Sequence, residues 1–147
     1  MTPRDFDLLR VKDIMHEGVV SCSPETALED VAHMMREQRI SAVVVVADGV
    51  AVGVLSQTDL VNTAYVQPYL RYWRGMTARH VMNSPVIAVQ PETPLVQAID
   101  ILRKRGIHRV VVTEPGSRGE CPVGILSLTD VARLLETPIV MPESERA

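Results

Sequence analysis

Gly53-Val54-Leu55-Ser56-Gln57-Thr58-Asp59 returns, 71 residues on, as Gly124-Ile125-Leu126-Ser127-Leu128-Thr129-Asp130. Upstream of it, three further pairs share a constant offset of 67 residues. Val11-Lys12-Asp13-Ile14-Met15 matches Ala78-Arg79-His80-Val81-Met82. Pro24-Glu25-Thr26-x-Leu28 matches Pro91-Glu92-Thr93-x-Leu95, and Ile40-x-x-Val43-Val44-Val45 matches Ile107-x-x-Val110-Val111-Val112. A duplication kept in register this long predicts two like units packed about a pseudo-twofold axis. Such packing makes paired, equivalent clefts at the seam, and the function is to be sought there.

Each unit predicts the same order, β-α-β-β-α. A short extended stretch, Val19 to Cys22 or Val86 to Val89, ends near a proline and a helix follows. Thr26 is placed to cap the first helix, with Glu29 completing a capping box. In the second unit Thr93 caps and Pro94 takes the first helical position. Leu28, Val31, Ala32 and Met35 form an apolar stripe at helical spacing, repeated by Leu95, Ala98, Ile99 and Leu102. Two apolar strands joined by Ala47-Asp48-Gly49 read as a hairpin. The second hairpin is lengthened by Pro115-Gly116-Ser117-Arg118-Gly119-Glu120, a surface-turn insert that accounts for the growth of the offset from 67 to 71. The valine-rich strands are nearly continuous in apolar character, which favours sheets covered by helices. The fold class is therefore α/β (α+β), with two pseudo-twofold-related units packed sheet to sheet.

Composition bounds the function. The chain has 147 residues, and each half of about 60 is marginal alone and better stacked on its twin. Hydrophobic residues make up 46% and charged residues 22%, as in a soluble globular protein. A net charge of −3 supplies no pull toward nucleic acid or an anionic membrane. The two cysteines, Cys22 and Cys121, fall at non-equivalent places in the repeat and suit free thiols in a reducing compartment. Met1 to Arg10 lacks the apolar core of a signal peptide, and no apolar run reaches the ~20 residues of a membrane span, so a cytoplasmic protein is expected. His16, His33, His80 and His108 show no metal-ligand spacing, and no catalytic grouping or phosphate-binding glycine loop occurs. The chain is expected not to be an enzyme and to need no metal or catalytic cofactor.

Two features each leave two readings open. Between the units, Tyr65, Tyr69, Tyr72 and Trp73 fall on one helical face, suiting either a linker packed on the core or a second chain, or an aromatic platform for a base or partner. In the repeated Gly-h-h-Ser-x-Thr-Asp (h, hydrophobic), Ser56 and Ser127 can simply cap a helix, with Asp59 and Asp130 favoured by its dipole. The same arrangement also makes an anion and sugar site. Free N–H groups at a helix start attract phosphate, an acceptor-only carboxylate takes ribose hydroxyls, and Thr58 and Thr129 stand within reach.

The double unit, closed each time by Gly-h-h-Ser-x-x-Asp, resembles a tandem pair of cystathionine-beta-synthase (CBS) domains, the Bateman module. Met15 and Met82, the Pro-Glu-Thr-x-Leu helix start and the closing motif all fall in family order. The resemblance divides the chain into an N-terminal segment (1–10), repeat 1 (11–64), an aromatic linker (65–77), repeat 2 (78–135) and a tail (136–147). It implies an adenosine-containing ligand, an adenine nucleotide (AMP, ADP, ATP) or S-adenosylmethionine, held between the repeats with the aspartate on ribose, and a homodimer signalling to an effector protein. His108-Arg109 after Ile107 resembles a phosphate clamp; the alternative is a surface arginine beside a half-buried histidine. An arginine fork suits phosphate. By resemblance one cleft joins Ser56, Thr58 and Asp59 to Ile107, His108 and Arg109. The other joins Ser127, Thr129 and Asp130 to Ile40, Ser41 and Ala42, with Ser21 or Ser23 as a further candidate. The clefts should be unequal, the one with Arg109 preferring phosphorylated ligands. Val44 and Val111 stand where family members often carry a proline. The alternative function is an interaction or assembly module whose clefts are vestigial.

Overall fold

A computed structural model describes residues 7–66 and 75–136. The first repeat runs α1 (Val11–Ile14), β1 (His16–Glu17), β2 (Ser21–Cys22), α2 (Leu28–Gln38), β3 (Ala42–Ala47), β4 (Val50–Ser56) and α3 (Gln57–Val66). The second runs α4 (Ala78–Val81), β5 (Ala88–Val89), α5 (Leu95–Arg105), β6 (Arg109–Pro115), β7 (Glu120–Ser127) and α6 (Leu128–Glu136). Tyr69, Tyr72, Trp73 and the tail from Pro138 lie outside the described residues; Tyr65, at the end of α3, is exposed.

Two mixed sheets result, β2-β3-β4 and β1-β7-β6-β5. In each repeat the short strand is parallel to the next, and α2 or α5 makes the crossover that parallel pairing requires. The following strand returns antiparallel. Asp48 and Gly49, both with positive φ, form the tight turn of the first hairpin. Val43 and Val45 bury into the first core with Leu28, Val31, Met35 and Leu55. Val110 and Val112 do the same in the second core with Leu95, Ala98, Leu102 and Leu126. Strand alternation puts Val44 and Val111 on the opposite face, and both are buried there too. The helices of their own repeat cannot cover that face, so the sheets pack on each other, and β4 approaches β7 across the seam. This double coverage is why the valine runs are continuous.

The lead segments cross over. Val11 is fully buried in the second core and Ala78 in the first. The Val11 and Lys12 N–H groups donate to the Thr93 and Pro91 carbonyls, and the Ala78 and Arg79 N–H groups to those of Thr26 and Pro24. Lys12–Glu92 (2.8 Å) and Arg79–Glu25 (2.6 Å) repeat the exchange in charge. β1 pairs with β7, and Asn83 pairs with Val54, so each repeat's opening chain adds to the other repeat's last strand.

This exchange corrects the expected helix caps. α2 and α5 start one residue later than expected, with Ala27 and Pro94 at the cap positions and no side-chain cap bond. Thr26 and Thr93 instead close the turn before the helix, their Oγ1 accepting the Ser23 and Gln90 N–H groups at 3.0 Å. The first N–H of each helix, Leu28 and Leu95, donates to the incoming lead chain at Met76 and Leu9. A donor satisfied by tertiary contact needs no cap.

Two glycines mark close approaches between the repeats. A Cβ on Gly124 would lie 2.6 Å from the backbone oxygen of His16, whereas on Gly53 it would meet the side chain of Met82, with Sδ at 2.6 Å. Backbone in β1 cannot swing aside as a methionine can. Gly124→Ala is therefore expected to cost about 1–3 kcal/mol in urea unfolding, as overpacking does. Gly53→Ala should cost less, and the reverse order would show that β1 is the softer neighbour.

Candidate functional site

The repeated Ser-x-x-Asp forms the same local structure twice. The Asp59 Oδ2 accepts the Ser56 N–H and Oγ–H, both at 2.8 Å, while Ser56 Oγ accepts the Asp59 N–H at 3.2 Å. Asp130 Oδ2 accepts the Ser127 N–H at 2.9 Å and its Oγ–H at 3.0 Å, and Ser127 Oγ takes the Asp130 N–H at 3.2 Å. Both are reciprocal helix-start boxes. The structural role of the motif is thus real, and it leaves Oδ1 of Asp59 outside these bonds.

A cavity of about 580 Å³ opens at the seam beside the first box. That is within the usual range for small-molecule sites, roughly 300–1,000 Å³. One wall belongs to the first repeat: Val54 and Ser56 at the end of β4, then Gln57, Thr58 and Asp59 opening α3. The other wall belongs to the second: Asn83 to Ile87 on the way into β5, Arg105 and Gly106 ending α5, and Ile107, His108 and Arg109 leading into β6. Gly106 closes α5 in the left-handed conformation, at φ 61°, and turns the chain toward the cavity.

Ser56, Thr58, Asp59, Ile107, His108 and Arg109 therefore surround one cavity, although more than 45 residues separate the two groups in sequence. The Arg109 guanidinium is half-buried; its burial pushes its pKa down, and the Asp59 carboxylate pushes it back up. The pull of burial signals a charge deprived of part of its water, which an anion would replace.

Ser41, expected with Ile40 and Ala42 opposite Asp130, lines the Asp59 cavity, where its Oγ accepts from Arg109 Nη2 at 3.2 Å. The register is the same in both repeats: Ala42 pairs with Ser56 and the Gln57 N–H donates to the Ser41 carbonyl, as Arg109 pairs with Ser127 and the Leu128 N–H donates to the His108 carbonyl. Ile40 packs against the first core and Ala42 is buried. Thr129 is exposed, and Asp130 Oδ1 has Arg133 Nη1 at 3.9 Å.

Sequence reasoning missed Asn83, Ser84, Pro85, Val86, Ile87 and Arg105 as cavity residues. The 67-residue register places Asn83-Ser84 after the second Met as it places His16-Glu17 after the first. That register was the available signal, but nothing along the chain shows that these segments cross to the other repeat. Asn83 Nδ2 donates to Asp59 Oδ2 at 2.9 Å, a bond between repeats at the centre of the site. Among the described residues, no group of three His, Cys, Asp or Glu side chains could hold a metal ion, and no helix is long and apolar enough to cross a membrane.

A seam cavity between two β-α-β-β-α repeats, each closed by a Ser-x-x-Asp box, defines a paired-repeat module. The chain belongs to the CBS domain family: residues 11–65 and 78–137 both match its model, giving a tandem CBS pair. It is 25% identical over 125 residues to an uncharacterized protein of Methanopyrus kandleri, covering 84% of this chain and 61% of that protein, so it spans less than two thirds of that relative. Among solved structures it resembles CBSX2 in complex with AMP, with a TM-score of 0.73 and 23% identity over 86% of this chain and 96% of that one. It also resembles the CBS domain pair of protein MJ0100 in complex with 5′-methylthioadenosine and S-adenosyl-L-methionine, with a TM-score of 0.76 and 20% identity over 87% and 96% of the two chains. At these identities the likeness is one of fold.

Proposed function

We propose that this chain is a non-enzymatic regulatory CBS pair of the cytoplasm that binds an adenine nucleotide in the cavity between Asp59 and Arg109. The observation that carries the reading is the cavity itself, which joins a carboxylate of one repeat to the cationic strand start of the other. Asp59 Oδ1 is the acceptor for the ribose hydroxyls. Val54, Val86, Ile87 and Ile107 offer the apolar walls for a base. Arg109, with His108 and Arg105 nearby, takes the phosphate as charge-assisted hydrogen bonds. The related structures with AMP and with S-adenosyl-L-methionine support an adenosine-containing ligand in general. Three basic side chains against one carboxylate favour the phosphorylated kind over a cationic sulfonium.

The clefts are unequal in this reading. At the 67-residue offset, Gln38, Ser41 and Ala42 replace Arg105, His108 and Arg109, so the Asp130 side lacks the phosphate-binding charges. A ligand touching both repeats favours one arrangement of the halves, and an effector protein that prefers this arrangement reads the signal.

The test is a thermal-shift and calorimetric panel of AMP, ADP, ATP, adenosine and S-adenosylmethionine. A nucleotide at 100-fold excess over Kd should add about 2.7 kcal/mol of stability. Asp59→Asn, which keeps the helix-start acceptor, should weaken AMP by about tenfold, and Asp130→Asn should not. Loss in Asp130→Asn alone would move the site to the other cleft, and no shift with any ligand would sink the reading.

A second reading has its own observation. An apolar groove between α2 and α3, lined by Leu28, Ala32, Met35, Leu60, Val61 and Ala64, lies open beside the exposed Val61. It suits an assembly role, with a second copy or another protein seated there.

A further inference from the structure

We propose that Asn83 of the second repeat is a positioning residue for Asp59 of the first, holding the ribose-binding carboxylate in its working orientation; this rests on the nucleotide reading above. Asp59 Oδ2 collects three donors: the Ser56 N–H, the Ser56 hydroxyl and the Asn83 amide. The first two belong to the same helix start and travel with it. The third comes from across the seam and stops rotation of the carboxylate about its own axis, so that Oδ1 is the oxygen left over for a ligand. The amide orientation is unambiguous, since a carboxylate accepts only from the nitrogen.

Asn83 is itself held rigidly. Its N–H donates to the Val54 carbonyl at 2.8 Å, and its carbonyl accepts from the Val54 N–H at 3.0 Å. Both bonds fall within the strand that leads directly into Ser56. Just before it, Met82 packs against the bare Cα of Gly53. A supporting residue fixed by backbone bonds on both sides gives the precision that a binding carboxylate needs. The equivalent position in the other cleft is His16, whose backbone pairs with Ile125 as that of Asn83 pairs with Val54. The amide clip thus belongs to the Asp59 cleft by sequence. It also makes the carboxylate that meets the ligand a shared possession of both repeats.

The experiment measures binding of AMP and of a dideoxy-AMP lacking both ribose hydroxyls to the full chain, as wild type, Asn83→Ala and Asn83→Asp. Loss of positioning should weaken AMP by about tenfold in Asn83→Ala, and more in Asn83→Asp, where two carboxylates meet. Binding of the dideoxy ligand should fall far less than that of AMP in Asn83→Ala, the deciding variant; in Asn83→Asp the added charge weakens both ligands through their phosphate, and AMP the more. Equal weakening of both ligands would reveal a merely structural residue and overturn the proposal, as would unchanged AMP binding in the variants; either leaves the nucleotide reading standing. A wild type that binds no AMP would remove that reading and this one with it.

Discussion

Val11→Asp is expected to unfold the second repeat rather than the first, at a cost of about 3–5 kcal/mol, the usual scale for an uncompensated buried charge. Against a total stability of roughly 5–15 kcal/mol, such a loss is close to disabling. Val11 is fully buried, and its neighbours are Val89, Leu95, Ala98, Leu102 and Leu126. If the lead helix detaches to free the charge, the hole it leaves is still in the second core. Amide hydrogen exchange should show protection lost first in β5, β6 and β7. Ala78→Asp should do the reverse, opening β2, β3 and β4, because Ala78 is buried with Leu28, Val31 and Leu55. If Val11→Asp instead weakened its own repeat first, the crossing of the lead segments would be wrong.

Arg109→Ala is expected to lower the affinity for AMP by about 10- to 150-fold, the equivalent of about 1.5–3 kcal/mol for hydrogen bonds to a charged group. Adenosine, which has no phosphate, should bind the variant as it binds wild type. Arg109→Lys should recover only part of the loss, since an ammonium cannot reproduce the planar fork. The guanidinium is half-buried and its visible bond is to the Ser41 hydroxyl, so the fold should tolerate the change. Calorimetric titration of both ligands decides the matter. Equal losses for adenosine and AMP would make Arg109 a structural strut through Ser41, and undiminished AMP binding would put the phosphate elsewhere.

What could be read along the chain was whatever depends on near neighbours. The apolar stripes of α2 and α5 are periodic, and the helices lie there. The Asp48-Gly49 turn carries its own positive-φ preference. The Ser56–Asp59 box closes over three residues and needs no help from elsewhere. Thr26 and Thr93 show where this reasoning stops. Each has good cap chemistry, yet the donors it would have served are taken by chain from the other repeat, and its hydroxyl turns back to Ser23 or Gln90. The bond from Arg109 to the Ser41 hydroxyl lies beyond such reasoning too, because it joins the starts of two strands from different repeats.

The sequence by itself determined that there are two copies of one unit, that each copy is β-α-β-β-α, and that Ser-x-x-Asp opens the last helix of each. These follow from periodicity, turn chemistry and short-range hydrogen bonding, which act between residues a few positions apart. Only the tertiary structure decided that the lead segments cross over, that Asn83 bonds Asp59 from the opposite repeat, and that Arg109 faces Ser41. Those contacts join residues 24 to 109 positions apart, and burial and backbone pairing between the two sheets choose them. A duplicated sequence offers every such segment two nearly equal partners, its own repeat or its twin. The packing of the assembled seam makes the choice.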